Sequence, residues 1–145
     1  MNRQDLIILF AACFFVSAGQ LQAASIERLL DAMEIVESGR RADAVGDGGK
    51  SKGYLQLQKA YVADARANVI KRYGECPDYE TVVRSRTWSR RVVIAYWERY
   101  APKALENGDL RELACVHNAG PRGSKVKATE KYWNKVRREM DKSKN

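Results

Sequence analysis

The chain has 145 residues, 45% of them hydrophobic, with 26 Lys plus Arg against 18 Asp plus Glu and a formal net charge of +8. That length holds one domain and excludes a multi-domain enzyme with its own dinucleotide-binding unit; the apolar share excludes wholesale disorder. A single His, no paired C-x-x-C and no H-E-x-x-H leave a structural zinc or a histidine-based triad without support, so no metal and no cofactor is expected.

Residues 6–18 form an apolar run, preceded by Arg3 and followed by Leu21-Gln22-Ala23-Ala24-Ser25. The run is shorter than the ~20 residues of a membrane-spanning helix, and small residues follow it. The pattern predicts a secretory leader cut after Ala23 or Ala24, hence a secreted or periplasmic protein. The expected organisation is a leader over 1–23, one domain over 24–140 and a frayed basic tail over 141–145. After export Cys76 and Cys115 remain as an even pair. An oxidising compartment favours a disulfide between them; the alternative is two buried thiols in a small core.

Ser25 can cap a first helix, along which Ile26, Leu29, Leu30, Met33 and Val36 recur at helical spacing. Gly39 stops it. Residues 40–52 read as loop, and Gly53-Tyr54-Leu55-Gln56-Leu57 as a short strand or a turn. A helix is expected over 60–73, a break at Glu75-Cys76-Pro77-Asp78, and a strong helix over 88–100. Pro102 bends or ends that helix. Asp109-Leu110-Arg111-Glu112 has the capping-box pattern and opens a short helix through Val116. Gly120-Pro121-Arg122-Gly123 breaks the chain, and 125–140 is a last basic helix carrying Tyr132, Trp133 and Val136. The fold class is therefore mainly α, with a small β region (α+β). Trp88, Trp97 and Trp133 are expected in the core, with Trp133 nearest any cleft.

Glu37 stands seven residues after Leu30 and four after Met33, so it shares their inward face, whereas Glu34 points elsewhere. A carboxyl on an apolar face loses water, and the last helical turn presents the negative end of the helix dipole. Both effects favour the protonated acid, which is what a general acid needs. The bland alternative is a Glu whose stem packs while its head reaches solvent or an Arg. The following loop holds Asp43 and Asp47, whose polar, glycine-rich setting keeps a carboxylate ionised. One protonated and one ionised carboxyl across a cleft is the arrangement of glycoside hydrolysis. The bland alternative there is that both aspartates only serve turns.

Four motifs then fall in order: Ile35-Val36-Glu37-Ser38-Gly39, Ala44-Val45-Gly46-Asp47-Gly48-Gly49-Lys50, Gly53-Tyr54-Leu55-Gln56-Leu57, and His117-Asn118-Ala119-Gly120-Pro121 with Ala128-Thr129 and Tyr132-Trp133 behind it. Together they resemble the invertebrate-type, destabilase-like lysozymes and their bacterial relatives, within the lysozyme-like and lytic transglycosylase fold group. The match runs over about residues 26–136. The resemblance implies a helical body with a small β region lining a saccharide cleft. It implies a Glu general acid at Glu37 and an Asp nucleophile or electrostatic stabiliser at Asp47, with Asp43 the alternative. Tyr54 and Gln56 would line the cleft floor, and His117 and Asn118 would lie at its edge, with His117 a hydrogen-bonding rather than a basic group. Animal members are rich in disulfides and this chain has at most one, so an isopeptidase activity is not carried across.

Lys50, Lys52 and Lys59 flank the proposed cleft, and Lys125, Lys127, Lys131, Lys135, Arg137 and Arg138 crowd the last helix. On an exported monomer, this charge favours anionic cell-wall surfaces; no nucleic-acid motif is present, so nucleic acid is not an expected partner. Three readings compete. A muramidase hydrolyses the β-1,4 bond between N-acetylmuramic acid and N-acetylglucosamine in peptidoglycan, and within this reading the corresponding bond of a related N-acetylated glycan such as chitin is also a substrate candidate. A lytic transglycosylase uses Glu37 alone. A cationic wall- or membrane-binding protein catalyses nothing.

Overall fold

In a computed structural model, which describes residues 17–143, helix α1 (Ala18–Ser38) starts ahead of the expected Ser25 cap. Ser17 caps it instead, accepting from the Gln20 backbone N–H while the Gln20 side chain accepts from the Ser17 N–H. Ser25 lies inside the helix and donates its hydroxyl to the Leu21 carbonyl. Ala23 is therefore a helical residue here, and neighbouring Gln22 donates to the Leu105 and Glu106 carbonyls. The apolar run of the expected leader falls almost wholly outside the described residues, as does the end of the basic tail.

Gly39 ends α1 in the left-handed conformation that glycine adopts without penalty. A two-stranded antiparallel sheet follows, β1 (Val45–Gly46) on β2 (Ser51–Lys52), joined by a 3-10 turn at Asp47–Gly49. Residues 53–56 form turns, and Leu57 bridges back to Lys52. Then come α2 (Lys59–Tyr73), α3 (Tyr79–Arg84), α4 (Arg86–Tyr100), α5 (Pro102–Asn107), α6 (Leu110–Ala119) and α7 (Thr129–Lys142), with a 3-10 turn at Gly123–Lys125 before the last. Pro102 opens α5 rather than merely ending α4: it sits at the first helical position, where its missing N–H costs nothing. Asp109 caps α6 by accepting from the Glu112 N–H, as its sequence pattern predicts.

The helices enclose one core. Leu29, Leu30 and Met33 of α1, Val69 of α2, Val92, Val93 and Trp97 of α4, and Leu113 and Val116 of α6 are fully buried. Each such side chain contributes roughly 1.5–3 kcal/mol on leaving water. α1 packs on α6 and α7, and α4 packs on α2, α3, α5 and α6. Trp97 satisfies its indole by donating to the Leu113 carbonyl at 2.9 Å. Trp88 and Trp133 are half-buried against the same core.

Two expectations are corrected. Glu34 does not point away from the interior: it is fully buried, between Arg86 and Arg90 of α4, whose Nε atoms donate to it at 2.9 and 2.6 Å. Asp31 and Glu27 extend the cluster along the same helix. A helix enclosed by neighbours buries more than its apolar stripe, and a buried carboxylate persists only with partners of this kind. Nor do Cys76 and Cys115 form a disulfide; both are free and buried. Cys115 lies within α6, where Gly123 packs on its carbonyl. Cys76 lies in the α2–α3 connection, where burial pushes its thiol pKa up and so disfavours the thiolate.

Candidate active site

A cleft of about 310 Å³ opens between the end of α1, the β1–β2 turn, the start of α2 and the end of α6. Glu37, Asp47, Gln56, His117 and Asn118 all line it. These residues come from three separate stretches of chain, so the fold assembles what the sequence scatters. Asp43 and Tyr54 do not line it. Tyr54 instead packs against the core, and its carbonyl accepts from the Ser38 hydroxyl at 2.8 Å, tying the turn to the end of α1.

Glu37 is mostly enclosed, with 17% of its side chain exposed. Its Oε1 lies 3.4 Å from His117 Nε2, and the other ring nitrogen, Nδ1, lies 3.1 Å from the Tyr61 hydroxyl. The imidazole thus bridges the carboxyl and a phenol. When Nε2–H faces a carboxylate, Nδ1 accepts from Tyr61; when Nε2 faces a protonated carboxyl, Nδ1–H donates to Tyr61. Both protonation states of Glu37 can therefore be held by one ring in one position.

Aromatic rings wall this corner. Tyr61 stacks on Tyr96 at a centroid distance of 3.8 Å and meets the His117 ring edge-on at 5.4 Å. The Tyr132 hydroxyl is buried beside Glu37 and makes no hydrogen bond of standard geometry. Burial, and after it charged neighbours that include Glu37, push the pKa of Tyr61 and Tyr132 well above the usual phenol value. Both therefore remain neutral phenols.

The Asp47 side of the cleft is built differently. Asp47 has φ +50°, in the left-handed region that Asp tolerates better than most residues, and it is exposed. Its Oδ2 accepts from the Ser51 hydroxyl at 2.5 Å. Gln56, also at positive φ, donates its amide to the Ala44 and Gly53 carbonyls at 3.2 and 3.0 Å and so braces the loop. A Cβ at Gly46 would stand 2.5 Å from Gln56 Oε1, so a side chain there would displace the Gln56 amide. Asp64 of α2 is a third carboxylate on the cleft and accepts from the Tyr100 hydroxyl at 3.1 Å.

Sequence reasoning missed Tyr61, Ser51, Asp64 and Tyr96. Tyr61 and Asp64 lie one helical turn apart near the start of α2, directly after the Gly-Tyr-Leu-Gln-Leu motif. That spacing was the available signal. Among the described residues no cluster of His, Cys, Asp and Glu is arranged to hold a metal ion.

The family model described as Destabilase matches residues 27–139. The chain is 33% identical over 86 residues to Lysozyme 1 of Crassostrea virginica, covering 59% of this chain and 43% of that protein. It is 32% identical over 88 residues to a lysozyme of Ostrea edulis, covering 60% and 58%. The chain thus spans about half the length of these curated relatives. Among solved structures, the lysozyme of Tapes japonica superposes with a TM-score of 0.63 at 26% identity, covering 76% of this chain and 86% of that one. An inhibitor-bound lysozyme from Meretrix lusoria superposes with a TM-score of 0.62 at 29% identity, covering 77% and 88%.

Proposed function

Because the chain belongs to the Destabilase family, we propose that it is a muramidase-type glycosidase, exported and acting on peptidoglycan or a closely related β-1,4 N-acetylated glycan. Its lysozyme-like fold and its lysozyme-named relatives support this reading. The observation that carries it is one cleft lined by both an enclosed Glu37 and an exposed Asp47. In this mechanism Glu37 protonates the glycosidic oxygen. Asp47 stabilises the oxocarbenium-like transition state or bonds to the sugar, and Glu37 then takes a proton from the attacking water. His117 holds Glu37 through both stages, while Asn118 faces the sugar from the end of α6. The leader is removed near Ala23, which delivers the protein to the compartment where such glycans lie. No described helix is long and apolar enough to cross a membrane.

One observation favours a second reading. Asp47 sits in a tight turn with its carboxylate already engaged by Ser51, as a turn residue would. A lytic transglycosylase needs Glu37 alone and closes an anhydro ring on the muramic acid. Digestion of purified peptidoglycan by the Asp47→Asn protein separates the two. The muramidase reading expects release of soluble muropeptides to fall at least tenfold; near-full release, as anhydro fragments lighter by one water, supports the transglycosylase.

A further inference from the structure

Beside the catalytic cleft lies a second, basic groove of about 390 Å³. The two share Gln58 and Ala60, so a ligand leaving the cleft on this side runs directly into it. Lys50, Lys52 and Lys59 line the groove over the ring of Tyr79. The ammonium groups of Lys52 and Lys59 stand 5.9 and 5.8 Å from the ring centroid, within cation–π range. Tyr79 is itself fixed by donating its hydroxyl to the Leu57 carbonyl at 2.8 Å. Glu80 pairs with Lys52 at 2.7 Å, but neither Lys50 nor Lys59 has an ion-pair partner among the described residues. The groove therefore keeps a net positive charge. The cleft next to it has the opposite sign, with carboxyl groups from Glu37, Asp47 and Asp64.

This reversal of sign over one short step suits a particular ligand. A neutral sugar chain can cross the carboxyl-lined cleft without repulsion. Carboxylates hanging from that chain cannot enter the cleft, yet they meet ammonium groups within a Debye length if they fall to the side. We propose that Lys50, Lys52, Lys59 and Tyr79 form a subsite for the pendant carboxylates of peptide-substituted glycan, so that the protein selects a stem-bearing polymer over a neutral one. The proposal rests on the glycosidase reading above and adds to it the anionic class of substrate and the residues that choose it.

Two soluble β-1,4 glycan fragments of equal length test it, one a peptidoglycan fragment that keeps its peptide stems and the other a neutral N-acetylglucosamine oligomer that carries no carboxylate. Each is titrated into the Glu37→Gln protein, so that turnover does not consume it. The stem-bearing fragment is expected to bind about fivefold tighter, the scale of one or two exposed ion pairs, and high salt should erase the difference. The triple variant Lys50→Gln, Lys52→Gln, Lys59→Gln should bring the two affinities close to parity. A second variant, Lys131→Gln with Lys135→Gln on α7, should keep the preference, because those lysines lie outside the groove. Equal affinity of the parent protein for the two fragments overturns the proposal. So does a preference that survives in the triple variant, or one that the α7 variant loses equally. Failure of the enzymatic reading shows separately, as no cleavage of either fragment by the unsubstituted protein, and the binding ratio still decides the subsite.

Discussion

Glu37→Gln keeps the shape of the side chain and its place between His117 and Tyr132 but removes the proton that a glycosidic oxygen must receive. Cleavage should fall roughly 10²–10⁴-fold, while thermal unfolding stays close to that of the parent. Glu37 was legible because one helical periodicity, running through Leu30 and Met33, aims it inward. Its supporting group was not: His117 and Tyr61 are far from it in sequence and meet it only when α6 and α2 close on the end of α1. The same spacing argument misjudged Glu34, since periodicity reports where apolar residues cluster and not how many sides of a helix are covered. A signal was present all the same, in Glu27, Asp31 and Glu34 at helical spacing on α1 and Arg86 and Arg90 one turn apart on α4. The buried phenols carry a pH prediction. Both have a folded pKa above the unfolded value of about 10, so the unfolded chain loses these protons first as pH rises. Their contribution to stability is intact below pH ~10 and declines above it. Urea midpoints measured from pH 8 upward should drop beyond that point, and Tyr132→Phe should flatten the drop.

Among the secondary-structure elements, the cleft depends on a few close backbone approaches. Gly53 has φ +75°, and a Cβ there would lie 1.8 Å from the Val83 carbonyl oxygen, pinning the turn after β2 against α3. Gly53→Ala should therefore unfold or displace this wall. A loss of several °C in Tm together with weakened glycan binding is the expected outcome, whereas Gly74→Ala, where the space is open, should show only the backbone strain of its positive φ. Glu34→Ala removes the buried carboxylate that two arginines share at the α1–α4 contact, leaving them Asp31 and Glu27, and should cost about 1–3 kcal/mol in urea unfolding. Helices with strong caps and stripes were legible in advance, α4 and α6 above all. The early start of α1 was not, because Ser25 looked like a cap; the local signal against it was that Ser17-Ala18-Gly19-Gln20 has the capping-box pattern and Ser25-Ile26-Glu27-Arg28 does not. α3 was missed because six residues are too few for a period to show. Both strands fall within 40–52, which reads as loop because two-residue strands carry no alternation, and of the two readings of 53–57 the turn is the one observed.

For the whole molecule, the helices share one core, and among the described residues no disulfide joins its parts. Alkylation of the unfolded protein under non-reducing conditions should modify both Cys76 and Cys115, and reductant should leave the unfolding midpoint unchanged. The disulfide expectation rested on the even number of cysteines and the expected export; it did not consider whether the two positions meet. Peptidoglycan fragments released by the protein, weighed by mass spectrometry beside those from Glu37→Gln, test the central claim most directly. The account predicts muropeptides with free reducing ends from the unsubstituted protein and none from the variant. Fragments lighter by one water would replace hydrolysis with transglycosylation. Equal release by the two proteins would contradict the assignment of Glu37 as the catalytic acid.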